Sequence, residues 1–213
     1  MVGPIDAVVA IHNAFRADMA NIDAAALAAA RGDADAEATV ERFRFFNEVL
    51  VWHAHGEELA VFTAVEGVAP SVVEAYEMDH RGLDTAFDRL GDAVAARDTL
   101  ETTRATAAFK FHLDVHLAKE DTHLYRIVRE RIPVPEQAAA VGIMAGQVPA
   151  DRNPDLIAWM FPLLGDDDRE NMTRVWKMVM PPEVFTGAIG LVHQAIGDDF
   201  EELHRRIPEL LAA

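Results

Sequence analysis

Apolar residues recur every three or four positions along most of this chain, whereas the strict alternation typical of a half-buried strand is rare. This period, in a chain rich in alanine, leucine, glutamate and arginine, predicts an all-α protein. Proline and glycine divide the first part of the chain into four long segments, which predict helices over about 4–31, 37–65, 71–97 and 100–131. Because short links join these long helices, we expect an up-down-up-down four-helix bundle.

Beyond Pro135 the apolar segments become shorter, and prolines separate them. They predict helices over about 136–147, 154–164, 166–179 and 182–207. We therefore expect two domains, the bundle over 1–132 and a C-terminal helical extension over 133–213. The extension is expected to pack on the bundle or to form the interface of a homodimer.

Polar residues interrupt the apolar stripe of each long helix at a similar depth in the predicted bundle. His53 and Glu57 lie four positions apart on the second helix, and His116 and Glu120 repeat this spacing on the fourth. Residues four apart share one helix face, one turn apart. With one histidine each from the first and third helices, the candidate site comprises His12, His53, Glu57, His80, His116 and Glu120.

Burying two glutamates with four histidines costs several kcal/mol unless their charges are compensated. Two cations bridged by the carboxylates would supply the compensation, and a metal-free Glu–His network is the alternative. Nitrogen and oxygen ligands favour iron, with manganese or zinc as less favoured choices. With an oxo or hydroxo bridge between two six-coordinate ions, the six residues leave roughly two coordination positions open, or one if His112 is a ligand, which is enough for a small ligand such as O₂, NO or peroxide.

Three further residues are weaker candidates for the site. His112 lies one turn before His116 and is either an additional metal ligand or a hydrogen-bond donor to one of the ligands. His123 is expected either at the rim of the metal site or in contact with a ligand without binding metal itself. Asp84 is either a hydrogen-bond acceptor or a metal ligand. Whether Tyr76 and Tyr125 reach the site stays open at this point. Four polar neighbours are expected to point away from it: His55, Glu58, Asp79 and Asp121.

Composition narrows the classes of function. Lysine and arginine number 19 against 36 acidic residues, for a net charge of −17, which argues against binding to nucleic acid or to anionic membranes. The chain has no cysteine, which excludes disulfides, thiolate nucleophiles, iron–sulfur clusters and zinc–thiolate sites. The first residues lack the pattern of a signal peptide, and there is no long apolar run. We therefore expect a cytoplasmic protein.

The motif H–HxxxE–H–HxxxE resembles that of the hemerythrin-like (HHE cation-binding) family. The segment 116–125 is similar to the HxxxEExxLFP signature of that family, with Asp121 for the second Glu, Tyr125 for Phe and Arg126 for the Pro that follows. The resemblance covers about residues 4–131. It implies a four-helix bundle with a non-haem pair of iron ions, bridged by oxo or hydroxo. Hemerythrins carry a further histidine where this chain has Asp84, which argues against oxygen carriage of their type.

Three functions are compatible with these observations. The leading hypothesis is a di-iron module that binds O₂, NO or peroxide for sensing, storage or protection. The second is a catalase-like enzyme that dismutates peroxide, in which His123 or Tyr125 would shuttle protons. The third is an iron-responsive interaction protein, in which the metal orders the bundle and presents the extension to a partner. The sequence does not identify catalytic residues.

Overall fold

The computed structural model describes residues 3–33 and 36–211, which contain helices and turns and no strand. The prediction of an all-α fold is confirmed. The helices of the bundle are α1 Asp6–Arg31, α2 Ala36–Gly56, α3 Thr63–Glu66, α4 Pro70–Ala95, α5 Thr99–Lys119 and α6 Tyr125–Arg131. Two π-helical turns, Glu57–Phe62 and Glu120–Leu124, join α2 to α3 and α5 to α6. Each joined pair forms one of the four long helices expected from the sequence.

The ends of the long helices lie at residues that the sequence marks. Gly32 follows α1 with φ 82° and ψ 13°, a left-handed conformation that suits glycine. Pro70 occupies the first turn of α4, where its missing N–H costs no helical hydrogen bond. The Asp98 side chain caps α5 by accepting a hydrogen bond from the Glu101 N–H at 3.0 Å. Short turns between these ends place consecutive long helices antiparallel.

Five shorter helices follow the bundle: α7 Val134–Ala145, α8 Asn153–Met160, α9 Asp166–Val179, α10 Pro182–Ile196 and α11 Phe200–Arg206. The prediction of one helix over 182–207 is wrong, because the chain breaks at Gly197. That residue adopts φ 55° and ψ −126°, a conformation that residues with a side chain rarely adopt. A 3-10 turn over Gly197–Asp199 then leads into α11.

The extension packs on the bundle along α1. The indole of Trp159 donates to Asp18 Oδ2 at 2.7 Å, and its ring lies 5.5 Å from that of Phe15. The Asn13 amide donates to Asp168 Oδ2 at 2.8 Å. These contacts favour an extension that packs on its own bundle; the boundary at 132 and a homodimer stay predictions. None of the helices that the structure describes has both the length and the apolar character needed to cross a membrane.

The buried apolar residues of the described chain fall into two clusters. One surrounds Val8, Val61 and Leu124 and continues into the extension. The other fills the opposite part of the bundle around Phe15, Phe46 and Leu117. Between the two clusters lies a layer of buried polar side chains.

Candidate metal centre

All six predicted site residues lie in this polar layer. The side chains of His12, Glu57 and Glu120 have no exposed surface, and those of His53, His80 and His116 are 4–6% exposed. Their ligand atoms form two groups within which every atom lies within 4.8 Å of the others. Glu57 and Glu120 belong to both groups. We refer to the two groups as the His12/His53 half and the His80/His116 half.

The distances suit a pair of ions bridged by the two carboxylates. In the His12/His53 half, His53 Nε2 lies 3.4 Å from Glu57 Oε2, and His12 Nε2 lies 3.6 Å from Glu120 Oε2. In the other half, His116 Nε2 lies 3.2 Å from Glu120 Oε2, and His80 Nε2 lies 3.6 Å from Glu57 Oε2. Each carboxylate therefore faces histidines from both halves, as a bridging ligand must.

Several buried atoms of the layer have no hydrogen-bond partner among the described residues. They are Glu57 Oε2, both carboxylate oxygens of Glu120, His80 Nε2 and His116 Nδ1. A buried polar atom without a partner costs about 1–3 kcal/mol, and more when it is charged. Cations coordinated by the carboxylate oxygens and by His80 Nε2 would remove most of this cost. The residues present therefore fit a two-metal centre, and the donor set of four imidazoles and two carboxylates suits iron.

The pKa values of the two glutamates differ when no cation is bound, so the two carboxyl groups do not carry the same negative charge. Burial alone would raise the pKa of Glu57, but its electrostatic interactions and hydrogen bonding with the surrounding histidines, His53, His80 and His12, lower it below the usual value. Burial and the charge of Glu57 raise the pKa of Glu120 to about 7. Close carboxylates cannot both ionise easily in an apolar layer, so the metal-free site holds a proton that a cation has to displace.

The pKa values of the four histidines differ as well, since two are lowered and two are raised. Burial lowers the pKa of His53 to about 4 and that of His116 to about 3. Burial acts against protonation of His80 as well, but its contacts with Glu120, Glu57 and Glu58 raise its pKa to about 11. The pKa of His12 is also raised, because Asp121 and the two glutamates outweigh burial. One histidine of each half is therefore neutral, and the other would have to lose a proton before its Nε2 could bind a cation.

Two carboxylates lie within hydrogen-bond distance of the Nδ1 atoms of His12 and His80, the two histidines whose pKa is raised. His12 Nδ1 lies 2.8 Å from Asp121 Oδ1, and His80 Nδ1 lies 2.8 Å from Glu58 Oε1. Such a carboxylate accepts a hydrogen bond from the Nδ1–H of a neutral imidazole, which leaves the Nε2 lone pair facing the layer. The expectation that Glu58 and Asp121 point away from the site is wrong, because each reaches a histidine on a neighbouring helix. The signal in the sequence was an acidic residue directly after each of the glutamates in the motif.

Asp121 belongs to a longer chain of contacts that reaches the extension. Arg16 Nη2 donates to Asp121 Oδ2 at 2.5 Å, and Arg16 Nη1 donates to Asn13 Oδ1 at 3.0 Å. Asn13 in turn donates to Asp168 at the start of α9. The carboxylate behind His80 is less enclosed, since the side chain of Glu58 is 46% exposed and that of Asp121 only 18%.

Each glutamate of the pair is the first residue of a π-helical turn, Glu57–Phe62 or Glu120–Leu124. Single π turns inside α-helices are found frequently at functional sites. The apolar period predicts two uninterrupted helices here and does not indicate the turns, because no residue type specifies a π turn.

The structure does not bring the three weaker candidates into either half. His112 and Asp84 are exposed, and the His112 ring lies 5.9 Å from that of Phe111. At about 100° per residue, His112 lies at the edge of the α5 face that buries Phe109 and Leu113. His123 is exposed, and its ring stacks on that of Tyr76 at 6.2 Å. Its role at the rim of the site or behind the ligands stays a prediction.

The two tyrosines take different positions. The Tyr76 hydroxyl donates outward to the Lys119 carbonyl at 2.9 Å. Tyr125 is fully buried, and its hydroxyl donates to Glu57 Oε1 and lies 3.3 Å from His12 Nε2. Burial and the two glutamates raise the pKa of Tyr125 well above its usual value, so the phenol keeps its proton. The sequence placed Tyr125 near the motif, but only the structure shows its hydroxyl within the polar layer.

Comparison with known proteins finds relatives that are much longer than this chain. It is 25% identical over 189 residues to "Zinc finger protein BRUTUS" of Arabidopsis thaliana, and 24% identical over 191 residues to "Zinc finger protein BRUTUS-like At1g18910" of the same plant. Both matches cover 85% of this chain but only 15% of the relative. The likeness therefore extends into the C-terminal helices. No solved structure matches significantly.

The family model "Hemerythrin HHE cation binding domain" matches residues 3–128, which is more than half of the chain. The matched range contains the four long helices up to Val128 and all six side chains of the polar layer. It ends before the extension, as the resemblance seen in the sequence did. The chain therefore belongs to the hemerythrin family of HHE cation-binding domains.

Proposed function

We propose that this protein is a non-haem di-iron module that binds a small ligand, O₂, NO or peroxide, for sensing, storage or protection. The observation that carries the proposal is the sharing of Glu57 and Glu120 by two pairs of histidines in a buried layer. His12 and His53 would hold one ion, His80 and His116 the other, and the glutamates both. When bound, an iron pair would supply open coordination positions and redox chemistry for the ligand.

The side chains around the layer support this assignment. Asp121 and Glu58 fix the ring orientation of His12 and His80. The apolar clusters on both sides of the layer limit the access of water, which strengthens the interaction of charged ligands with a cation. The three weaker candidates lie outside both groups of possible ligand atoms, which supports roughly two open positions.

The proposal is tested by metal analysis and absorption spectroscopy of the protein loaded anaerobically with Fe(II) and then exposed to O₂ or NO. We expect two iron ions per chain and a ligand-dependent charge-transfer band. His53→Ala should lose iron, and the matched control His112→Ala, which alters an exposed histidine on α5, should not. Equal iron content in the two variants, or a protein that binds no iron, would contradict the proposal. Turnover of peroxide at the same site stays a prediction, tested by O₂ release.

A second candidate function is an iron-responsive interaction module. The observation in its favour is the chain of contacts from His12 through Asp121, Arg16 and Asn13 to Asp168 in the extension. A metal bound to His12 would stiffen this chain and with it the docking of α9. Hydrogen exchange of α9 should then slow when iron binds, and Asn13→Ala should abolish the slowing. Identical exchange with and without iron would exclude this function.

A further inference from the structure

The polar layer has an approximate internal symmetry, in which each side chain of one half has a counterpart in the other. His12 corresponds to His80, and Asp121 behind the first corresponds to Glu58 behind the second. The rings of His12 and His53 lie 4.9 Å apart, and those of His80 and His116 lie 5.0 Å apart. A difference between equivalent positions is therefore a difference between two otherwise similar metal positions.

The aromatic residue five positions after each glutamate of the motif follows the same symmetry. Phe62 follows Glu57, and Tyr125 follows Glu120, each at the end of a π turn. The Phe62 ring packs on His80 at 5.1 Å with an interplanar angle of 34°, and the Tyr125 ring packs on His12 at 5.3 Å with the same angle. Both rings are buried. The two positions differ by one hydroxyl group.

That hydroxyl gives the His12/His53 half an O–H donor directed at the metal ligands. It donates to Glu57 Oε1, since an ionised carboxylate has no proton to give, and it lies 3.3 Å from His12 Nε2. In the other half, His80 Nε2 and His116 Nδ1 have no hydrogen-bond partner among the described residues, and Phe62 offers none. The Tyr76 hydroxyl is turned outward, toward the Lys119 carbonyl.

We propose that Tyr125 is the hydrogen-bond donor that directs small anionic ligands of the metal pair to the His12/His53 half. This inference rests on the proposed function. A carboxylate oxygen that binds a cation is a weaker hydrogen-bond acceptor, so the Tyr125 O–H becomes available to a ligand atom. A ligand on an ion held by His12 and Glu57 has to lie beside both of their ligand atoms, and the Tyr125 hydroxyl is in contact with both. Ligands that accept a hydrogen bond, such as azide or a peroxide anion, are favoured over those that do not.

Azide titration of the oxidised, iron-loaded protein tests this role, with iron content measured in every sample. Tyr125→Phe makes the two halves alike, Phe62→Tyr supplies a second donor, and Tyr76→Phe removes the other tyrosine as a control. Tyr125→Phe should keep its iron and bind azide about tenfold or more weakly, the usual effect of losing a hydrogen bond to a charged group. Tyr76→Phe should match the unaltered protein, and Phe62→Tyr should bind azide at least as tightly.

Infrared spectroscopy separates a donor from a residue that only fills space. The stretching frequency of bound azide should shift between H₂O and D₂O in the unaltered protein and in Tyr76→Phe, and this shift should disappear in Tyr125→Phe. Unchanged azide affinity and an unchanged isotope shift in Tyr125→Phe would overturn the inference. So would loss of iron, or loss of a phenolate-to-iron band, because either would make Tyr125 a ligand. An unaltered protein that binds neither iron nor azide would instead contradict the proposed function.

Discussion

Replacing Asp121 by asparagine tests how much the outer carboxylate contributes to metal binding. Asp121 Oδ1 lies 2.8 Å from the Nδ1 of His12, whose side chain is fully buried, so this nitrogen has no access to water. Asparagine keeps an oxygen for the His12 N–H but removes the negative charge and the second oxygen, to which Arg16 donates. The imidazole then becomes a weaker ligand, and its orientation is less restricted.

The size of the effect follows from these contacts. Loss of the partner behind a metal-bound histidine typically weakens metal binding about 10- to 100-fold, or about 1.4–2.7 kcal/mol. The ion pair between Arg16 and Asp121 is partly exposed, so its loss should change the free energy of unfolding of the metal-free protein by less than about 1 kcal/mol. Asp121→Asn should therefore weaken metal affinity much more than it weakens the fold.

Two measurements on the same samples check this prediction. Competition with a chromophoric chelator under anaerobic conditions gives the Fe(II) affinity, and denaturant unfolding of the metal-free protein gives its stability. Asp84→Asn is the matched control, because it makes the same chemical change at an exposed position outside the layer. Equal Fe(II) affinity in Asp121→Asn and Asp84→Asn would refute the role of Asp121. A fall in stability as large as the fall in affinity would show that the variant acts through the fold.

Three further predictions follow from other parts of the structure. Because burial and Glu57 raise the pKa of Glu120 to about 7, metal affinity should increase as the pH rises from below to above this value, since Glu120 then loses the proton that a cation would have to displace; chelator competition at both ends measures the change. Phe46→Ala, at a fully buried ring, should lower the free energy of unfolding by about 3–5 kcal/mol in denaturant titrations, and a loss below about 1 kcal/mol would contradict the packing described. Gly197→Ala should destabilise the fold by about 1–3 kcal/mol because of its φ of 55°, whereas Gly187→Ala, at an open helical position, should leave stability unchanged or raise it by up to about 1 kcal/mol; thermal melts distinguish the two.

The sequence by itself determined the helical class, the four long helices and the six residues of the polar layer. These features are local, because a stripe of apolar residues and the polar residues that interrupt it lie on one helix. A histidine and a glutamate four positions apart share a face whichever helix they meet across the core. The prediction failed where a single backbone conformation decides the outcome, as at Gly197, and it missed the π turns that begin at Glu57 and Glu120.

Only the tertiary structure decided which side chains meet across the bundle. His12 and Asp121 are 109 positions apart, so their contact depends on how α1 crosses the π turn after α5. The same crossing puts the Tyr125 hydroxyl on Glu57, while Phe62 at the equivalent position has none to offer. Helical periodicity determines on which face of its helix a residue lies. Which of these faces contact each other depends on how all the helices pack together. For that reason the six candidate ligands could be predicted from the sequence, and the side chains that contact them from other helices could not.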